Sequence, residues 1–198
     1  KVSNILRQKE RDGKILPMFF ETGLSSFKEK SQRDLGFYGW QLFAYFGFSP
    51  FNGLLNGRQN SMSFILKREG FFKHHLIDLR VQYEVNEGDY IFQSKLPFPY
   101  GYKWNLFASA LRQSIKYKVP LFYPDWEAPF GVTYLKRVQG RIFSDYVNSD
   151  IKDPMIAIGA GITFELAGFF DIKFPLSITS NYYFSPNSGH SGIQLEFE

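Results

Sequence analysis

Six charged side chains on neighbouring predicted strands are the residues whose types and spacing could do chemistry. They are Arg112, Lys116, Arg137, Arg141, Asp145 and Glu165. Within each strand they are separated by an even number of residues, which places them on one face. Lining the inside of a barrel, they could form a charged constriction that selects solutes. They could also form salt bridges that fill a narrow barrel, and for about eight to ten strands the filled interior is favoured.

The histidines and serines predict no catalytic or metal site. His74 and His75 are adjacent, so in a strand they point to opposite faces and are poorly placed to share a metal ion. His190 precedes Ser191, and neighbours in an extended strand cannot act as base and nucleophile, so a lipid hydrolase would need another serine. The chain has 198 residues and no cysteine, which excludes thiolate ligands and a cysteine nucleophile. We therefore expect no enzyme, no cofactor and no metal.

The composition narrows the classes of protein and of partner that remain. The 23 basic and 19 acidic residues give a net charge of +4 that is spread along the chain, so nucleic acid is not an expected partner. The aromatic content of 19%, with 23 Phe and 12 Tyr, favours strands and membrane-interface belts. No stretch approaches the roughly 20 apolar residues that a transmembrane helix needs.

Alternating apolar and polar residues organise most of the chain into predicted strands. Two long runs, 104–123 and 132–147, flank a Pro- and Asp-containing turn. Similar alternation occurs at 14–26, 35–48, 61–85, 90–96, 155–166, 174–184 and 193–198. A shift by one residue after Gly70 predicts either a tight turn or a β-bulge. The pattern therefore predicts an all-β antiparallel meander of about nine or ten strands.

The domain organisation follows from the same pattern. Residues 1–13 are polar and predict a tail or linker, and residues 14–198 predict one β-barrel domain. The strands are long enough to cross a bilayer, the polar face mixes charges with small residues, and aromatic residues gather near strand ends. The predicted aromatic belt consists of Tyr100, Tyr102, Trp104, Tyr123, Trp126, Tyr182 and Phe184. Together these features predict a transmembrane β-barrel, either complete or as part of a larger barrel.

Four segments of the sequence resemble a known family. VPLFYPDW at 119–126 and VTYLKRVQGRIFSDY at 132–146 resemble the C-terminal barrel of large outer-membrane proteins that carry TolB-like repeats. Those barrels are distantly similar to the surface-antigen barrels of outer-membrane insertases and translocases. GITFEL at 161–166 and GIQLEFE at 192–198 are similar to the last strands of such barrels. The last strand of those barrels usually ends on an aromatic residue, whereas here Glu198 follows Phe197. The Arg-Gly-Phe loop motif of the insertase family has no counterpart in this sequence. The resemblance implies a location in the bacterial outer membrane.

Three functions follow as hypotheses. The first is an outer-membrane β-barrel that acts as a membrane anchor or as a transport or translocation element. Its expected partners are the lipid bilayer, other envelope proteins or a larger parent chain. The alternative is a soluble β-barrel or sandwich that binds a hydrophobic ligand inside, which would turn the apolar faces inward. The third is an outer-membrane lipid hydrolase.

Overall fold

A computed structural model of the chain describes residues 17–28, 38–49, 56–88, 92–102, 107–124, 126–127, 133–150, 153–168 and 176–197. These ranges contain ten strands and no helix, which confirms the all-β prediction. The strands are β1 (Met18–Lys28), β2 (Tyr38–Phe48), β3 (Gly57–Glu69), β4 (Leu76–Gly88), β5 (Ser109–Phe122), β6 (Trp126–Glu127), β7 (Thr133–Ser149), β8 (Met155–Gly168), β9 (Leu176–Ser185) and β10 (His190–Phe197).

All ten strands belong to one antiparallel sheet. Its order is β1-β2-β3-β4-β5-β7-β8-β9-β10, with the two-residue β6 pairing with β7 outside this path. Each strand on the path therefore lies beside its neighbours in sequence, as a meander requires. Among the described residues, β1 pairs only with β2 and β10 only with β9. The expected meander is confirmed, but this sheet is open and not a closed barrel.

The phase shift after Gly70 is a tight turn, and the β-bulge alternative was wrong. Residues 70–75 join β3 to β4, and the Gly70 amide donates to the His75 carbonyl oxygen over 2.9 Å. A Cβ at Gly70 would lie 2.7 Å from the His75 Cβ, so the close return of the chain requires glycine there. Irregular pairing occurs instead between Pro120 and Phe122 and between Leu135 and Arg137.

Two predicted strands in the first half of the chain were placed wrongly. The strand predicted at 90–96 is not formed at residues 92–96, which carry no strand pairing. The alternation predicted to begin at residue 61 starts too late, because β3 already begins at Gly57. Alternation alone does not determine where a strand forms, because it does not show whether a neighbouring strand is available for pairing.

The two faces of the sheet differ in chemistry and in exposure. Ile115 is 49% exposed, whereas Arg137 is 6% exposed. We call the face of Ile115 the outer face and the face of Arg137 the inner face. The same division holds along the sheet: Phe64, Ile158 and Ile193 are exposed, and Glu84, Asp145 and Asn181 are buried. A soluble barrel would show the reverse.

The small apolar core lies at one end of the inner face. Leu96, Phe107, Ala110, Val147 and Met155 form its buried cluster, with Phe98 and Tyr102 packed against them. Two members of this group, Ala110 and Val147, come from β5 and β7. Most of the others come from the chain between β4 and β5. The described part of this connection is therefore packed against the sheet.

Candidate functional site

The inner face carries ion pairs between neighbouring strands. On β5, the Arg112 Nη2 atom lies 2.9 Å from Asp145 Oδ1 on β7, and its Nη1 donates to Gln82 Oε1 on β4 over 2.8 Å. The side chains of this pair are only 7% and 2% exposed. Desolvated charges of this kind are stable only when paired and hydrogen-bonded. Arg112 therefore links three consecutive strands.

A second pair joins β7 to β8. Arg137 and Glu165 are direct partners in register, with Nη2 to Oε2 at 2.5 Å and Nε to Oε2 at 2.9 Å. The amide of Gln139 also donates to Glu165. Both Arg137 nitrogens bind the same carboxylate oxygen, and Gln139 binds the other one. Both acceptor atoms are thus engaged inside the sheet.

A third pair reaches across the sheet to its last strand. Arg141 on β7 donates from Nε to Asn181 Oδ1 on β9 over 2.7 Å, and its Nη2 lies 2.6 Å from Glu196 Oε2 on β10. In a flat sheet, β7 and β10 would lie about 14 Å apart. The contact shows that the sheet curls around its inner face. Gly161 lies between Arg141 and Asn181 in register, and a Cβ there would be 2.2 Å from Asn181 Oδ1.

The structure thus brings the six predicted charged residues to one face. Four of them form two arginine pairs with each other, Arg141 pairs with Glu196 from outside the predicted set, and Lys116 is the sixth. Lys116 faces Phe143 in register and has no salt bridge to another described residue. Sequence patterns missed two partners, Glu196 and Asn181. Both stand at inner-face positions of β9 and β10, so alternation places them correctly. Only the curl of the sheet brings them to Arg141.

Residues 92–102, which we call the inward segment, lie against the inner face. In its first half, Glu84 on β4 accepts hydrogen bonds from the Lys95 amide over 2.9 Å and from Ser94 Oγ over 3.2 Å. Gln59 on β3 donates to the Gln93 carbonyl oxygen and to Glu84. The Lys95 Nζ atom lies 3.8 Å from Glu21 on β1. This half is therefore bound to β1, β3 and β4.

The second half of the inward segment is bound at Tyr100. Its hydroxyl donates to Glu196 Oε1 and accepts from Arg141 Nη2 over 3.3 Å. Its ring packs against Phe143 and Tyr183, with centroids 4.7 and 5.9 Å away. Burial, and then the hydrogen bond to Glu196, raise the pKa of the Tyr100 phenol above its usual range.

The inward segment bridges the two margins of the sheet. Lys95 pairs with Glu21 on β1, and Tyr100 bonds Glu196 on β10. Two residues beyond Tyr100, the Tyr102 hydroxyl lies 3.3 Å from both the amide nitrogen and the carbonyl oxygen of Ile156 on β8. The segment thus crosses the space enclosed by the curled sheet. The arrangement is that of a filled interior at this end, with side-chain bonds and ring contacts holding the filling in place.

Comparisons of the chain with protein-family models, with curated proteins and with solved structures found no match. The function must therefore be argued from the geometry of the two faces.

The predicted aromatic belt divides into two groups. Tyr123, Tyr182 and Phe184 have exposed side chains, and the last two lie on the outer face. Tyr100 and Tyr102 instead turn inward to the hydrogen bonds described above. Trp104 lies outside the described residues, and so does the Trp126 side chain. A Pro- and Tyr-rich loop has the same sequence pattern whether it lies at the edge of a sheet or packs against the inner face of the sheet.

Two of the histidines, His75 and His190, form hydrogen-bond contacts beside turns. His75 Nδ1 lies 2.7 Å from the Tyr117 hydroxyl, beside the β3–β4 turn. His190 Nδ1 lies 2.7 Å from the Ser188 carbonyl oxygen. Within the described ranges, no group of three potential metal ligands comes together. These contacts fix a turn and a hairpin end.

Proposed function

We propose that this chain forms part of the wall of a β-barrel in the bacterial outer membrane, where it acts as a membrane anchor with a closed interior. The observation that carries the proposal is the position of charge on the outer face. In the described strands, charged side chains are absent from the middle of that face and occur near strand ends, at Lys28, Arg58, Arg68, Glu87 and Lys136. Lipid tolerates charge at such ends far better than at the bilayer centre.

The dimensions of β3 support this interpretation. Arg58 and Arg68 both lie on the outer face, and Met62, Phe64 and Leu66 stand between them. Ten residues of strand span roughly 33 Å, which corresponds to about 25 Å across a membrane at the usual tilt of roughly 40°. That height equals the apolar band of outer-membrane barrels. The two arginines would then lie at opposite interfaces.

The inner face argues against the soluble alternative. A barrel that binds a hydrophobic ligand needs an apolar interior, but Glu84 and Asn181 are fully buried and Arg112 is nearly so. The lipid-hydrolase hypothesis also gains no support, because His190 contacts a carbonyl oxygen and not a serine hydroxyl. Transport remains a second candidate. It would require the inward segment to move, since that segment crosses the enclosed space.

Strand direction supports a barrel with further strands. Within the described ranges, the path through the sheet has nine antiparallel strands, so β1 and β10 run in the same direction. Direct pairing between them would be parallel. Closing the sheet with antiparallel pairs needs an odd number of additional strands, as a larger parent barrel would supply.

Nitroxide labels at two adjacent positions test the proposal. Phe64→Cys places a label on the outer face and Ser63→Cys on the inner face. In lipid vesicles, we expect the label at position 64 to be reached by oxygen and shielded from a water-soluble nickel chelate. A label at Ser188→Cys, in the β9–β10 turn, serves as the aqueous reference. If the label at position 64 is as accessible to the chelate as this reference, the proposal is wrong.

A further inference from the structure

A groove lies on the outer face at the ends of β1 to β4 that are remote from the inward segment. Its volume is about 650 Å³. Trp40, Leu66, Ile77 and Leu79 form an apolar wall, and the outward Lys28 and Arg68 stand beside it, while Lys67 and Glu69 border the groove from inner-face positions. Both outward charged groups at this end are therefore cations. An apolar wall beside a positive rim fits a ligand that has both a hydrocarbon chain and an anionic group.

The register brings the two outward cations to the same level of the sheet. Lys28 pairs with Tyr38, Gly39 pairs with Lys67, and Arg68 pairs with Ile77. Lys28 and Arg68 are thus two strands apart, or roughly 10 Å between backbones. Their long side chains can converge on one phosphate from that distance. Within the described part of the chain, neither has an ion-pair partner.

In the proposed orientation, the apolar wall lies deeper in the membrane than the cations. Trp40, Leu66 and Leu79 lie two residues nearer the middle of their strands than the row that contains Lys28 and Arg68. Two residues correspond to about 7 Å along the strand. This offset matches a phospholipid, whose acyl chains begin below its phosphate.

We propose that this groove binds an anionic phospholipid, with the phosphate between Lys28 and Arg68 and one acyl chain along Trp40, Leu66 and Leu79. The inference rests on the proposed membrane orientation of the outer face. It goes beyond that proposal, because a barrel wall needs only a general apolar surface. Here two cations without an ion-pair partner among the described residues stand above a concave apolar surface, at one end of the sheet.

The opposite end of β3 provides a matched control. Arg58 is outward and exposed like Arg68, and it lines a smaller groove of about 370 Å³ with Phe46 and Phe48. It differs in having polar partners, because its Nε donates to Asn60 Oδ1 over 3.4 Å and Glu87 faces it in register. A nearby carboxylate opposes the binding of a second anion. Arg58 should therefore show little preference for anionic lipid.

Tryptophan quenching by brominated lipids tests the inference. The chain has three tryptophans, so Trp104→Phe and Trp126→Phe leave Trp40 as the only fluorophore. In vesicles that mix brominated phosphatidylglycerol or brominated phosphatidylcholine with the unbrominated other lipid, we expect Trp40 to prefer phosphatidylglycerol by about threefold or more. The change Lys28→Gln/Arg68→Gln should abolish this preference, whereas Arg58→Gln should leave it intact.

The outcomes separate the inference from the proposed function. Equal quenching by both lipids, or a preference unchanged in the double variant, overturns the lipid site while Trp40 still reports a lipid-facing wall. Absence of quenching by either brominated lipid contradicts the membrane orientation itself. Loss of the preference on adding glycerol-3-phosphate would show a headgroup site without an acyl-chain contribution, and would overturn the proposed occupant.

Discussion

Arg141 on β7 and Glu196 on β10 form a 2.6 Å ion pair across the two strands that lie between them. The contact joins the last strand of the described sheet to its middle. It also holds the inward segment, because the Tyr100 hydroxyl bonds both residues. One pair therefore contributes to the curvature of the sheet and to the filling of its interior.

Removing the acid of this pair should destabilise the protein. Glu196→Gln leaves the Arg141 guanidinium, 6% exposed, without its counter-charge. We expect the free energy of unfolding to fall by about 2 kcal/mol, measured by urea titration in detergent micelles. Glu21→Gln is the control, because its pair with Lys95 is about half exposed and should contribute less than about 1 kcal/mol. Equal effects of the two changes would refute the structural role of Glu196.

Gly161 should not tolerate a side chain. A Cβ at this position would lie 2.2 Å from Asn181 Oδ1 and 2.8 Å from the Ser180 carbonyl oxygen. Gly161→Ala is therefore expected to lower the free energy of unfolding by about 1–3 kcal/mol. Ala160→Val, on the exposed outer face of the same strand, should be nearly neutral. The same urea titration decides, and a fully stable Gly161→Ala protein would contradict the packing described here.

Charge on the outer face should be tolerated according to its position along the strand. Phe48 and Phe64 are both 41% exposed on that face, but Phe48 ends β2 whereas Phe64 lies in the middle of β3. In the proposed membrane, arginine should cost about 2–4 kcal/mol at position 64 and at most about 1 kcal/mol at position 48. We expect Phe64→Arg to reduce insertion into vesicles, assayed by flotation, and Phe48→Arg to insert normally. Similar insertion of both variants would argue against a bilayer around this face.

The inward segment should block ion flow through the proposed barrel. Replacing residues 92–102 by a Gly-Ser linker removes the side chains that cross the enclosed space, including Tyr100 and Lys95. We expect the intact protein to give little steady conductance in planar bilayers and the linker variant to give a lasting ionic current. Replacement of residues 186–189, in the β9–β10 turn, is the control and should change nothing. A high conductance of the intact protein would show that the segment is no barrier.

The sequence by itself determined the strands and the two faces. Alternation predicted the long runs that become β5, β7 and β8, and it placed Arg112, Arg137 and Arg141 on one face. Period two is a local property of an extended backbone, so it survives without knowledge of the fold. Alternation assigned charge and apolar character to opposite faces. Strand length, the small residues of the polar face and the aromatic positions were needed to predict that the charged face is the inside.

Only the tertiary structure decided which partners meet and how the interior is filled. Arg141 reaches Glu196 because the sheet curls, and 55 residues of sequence separate them. Residues 92–102 show a strand-like and loop-like composition, yet they fold onto the inner face because Glu84 and Glu196 there accept their hydrogen bonds. Such contacts depend on the path of distant strands, which no local pattern encodes.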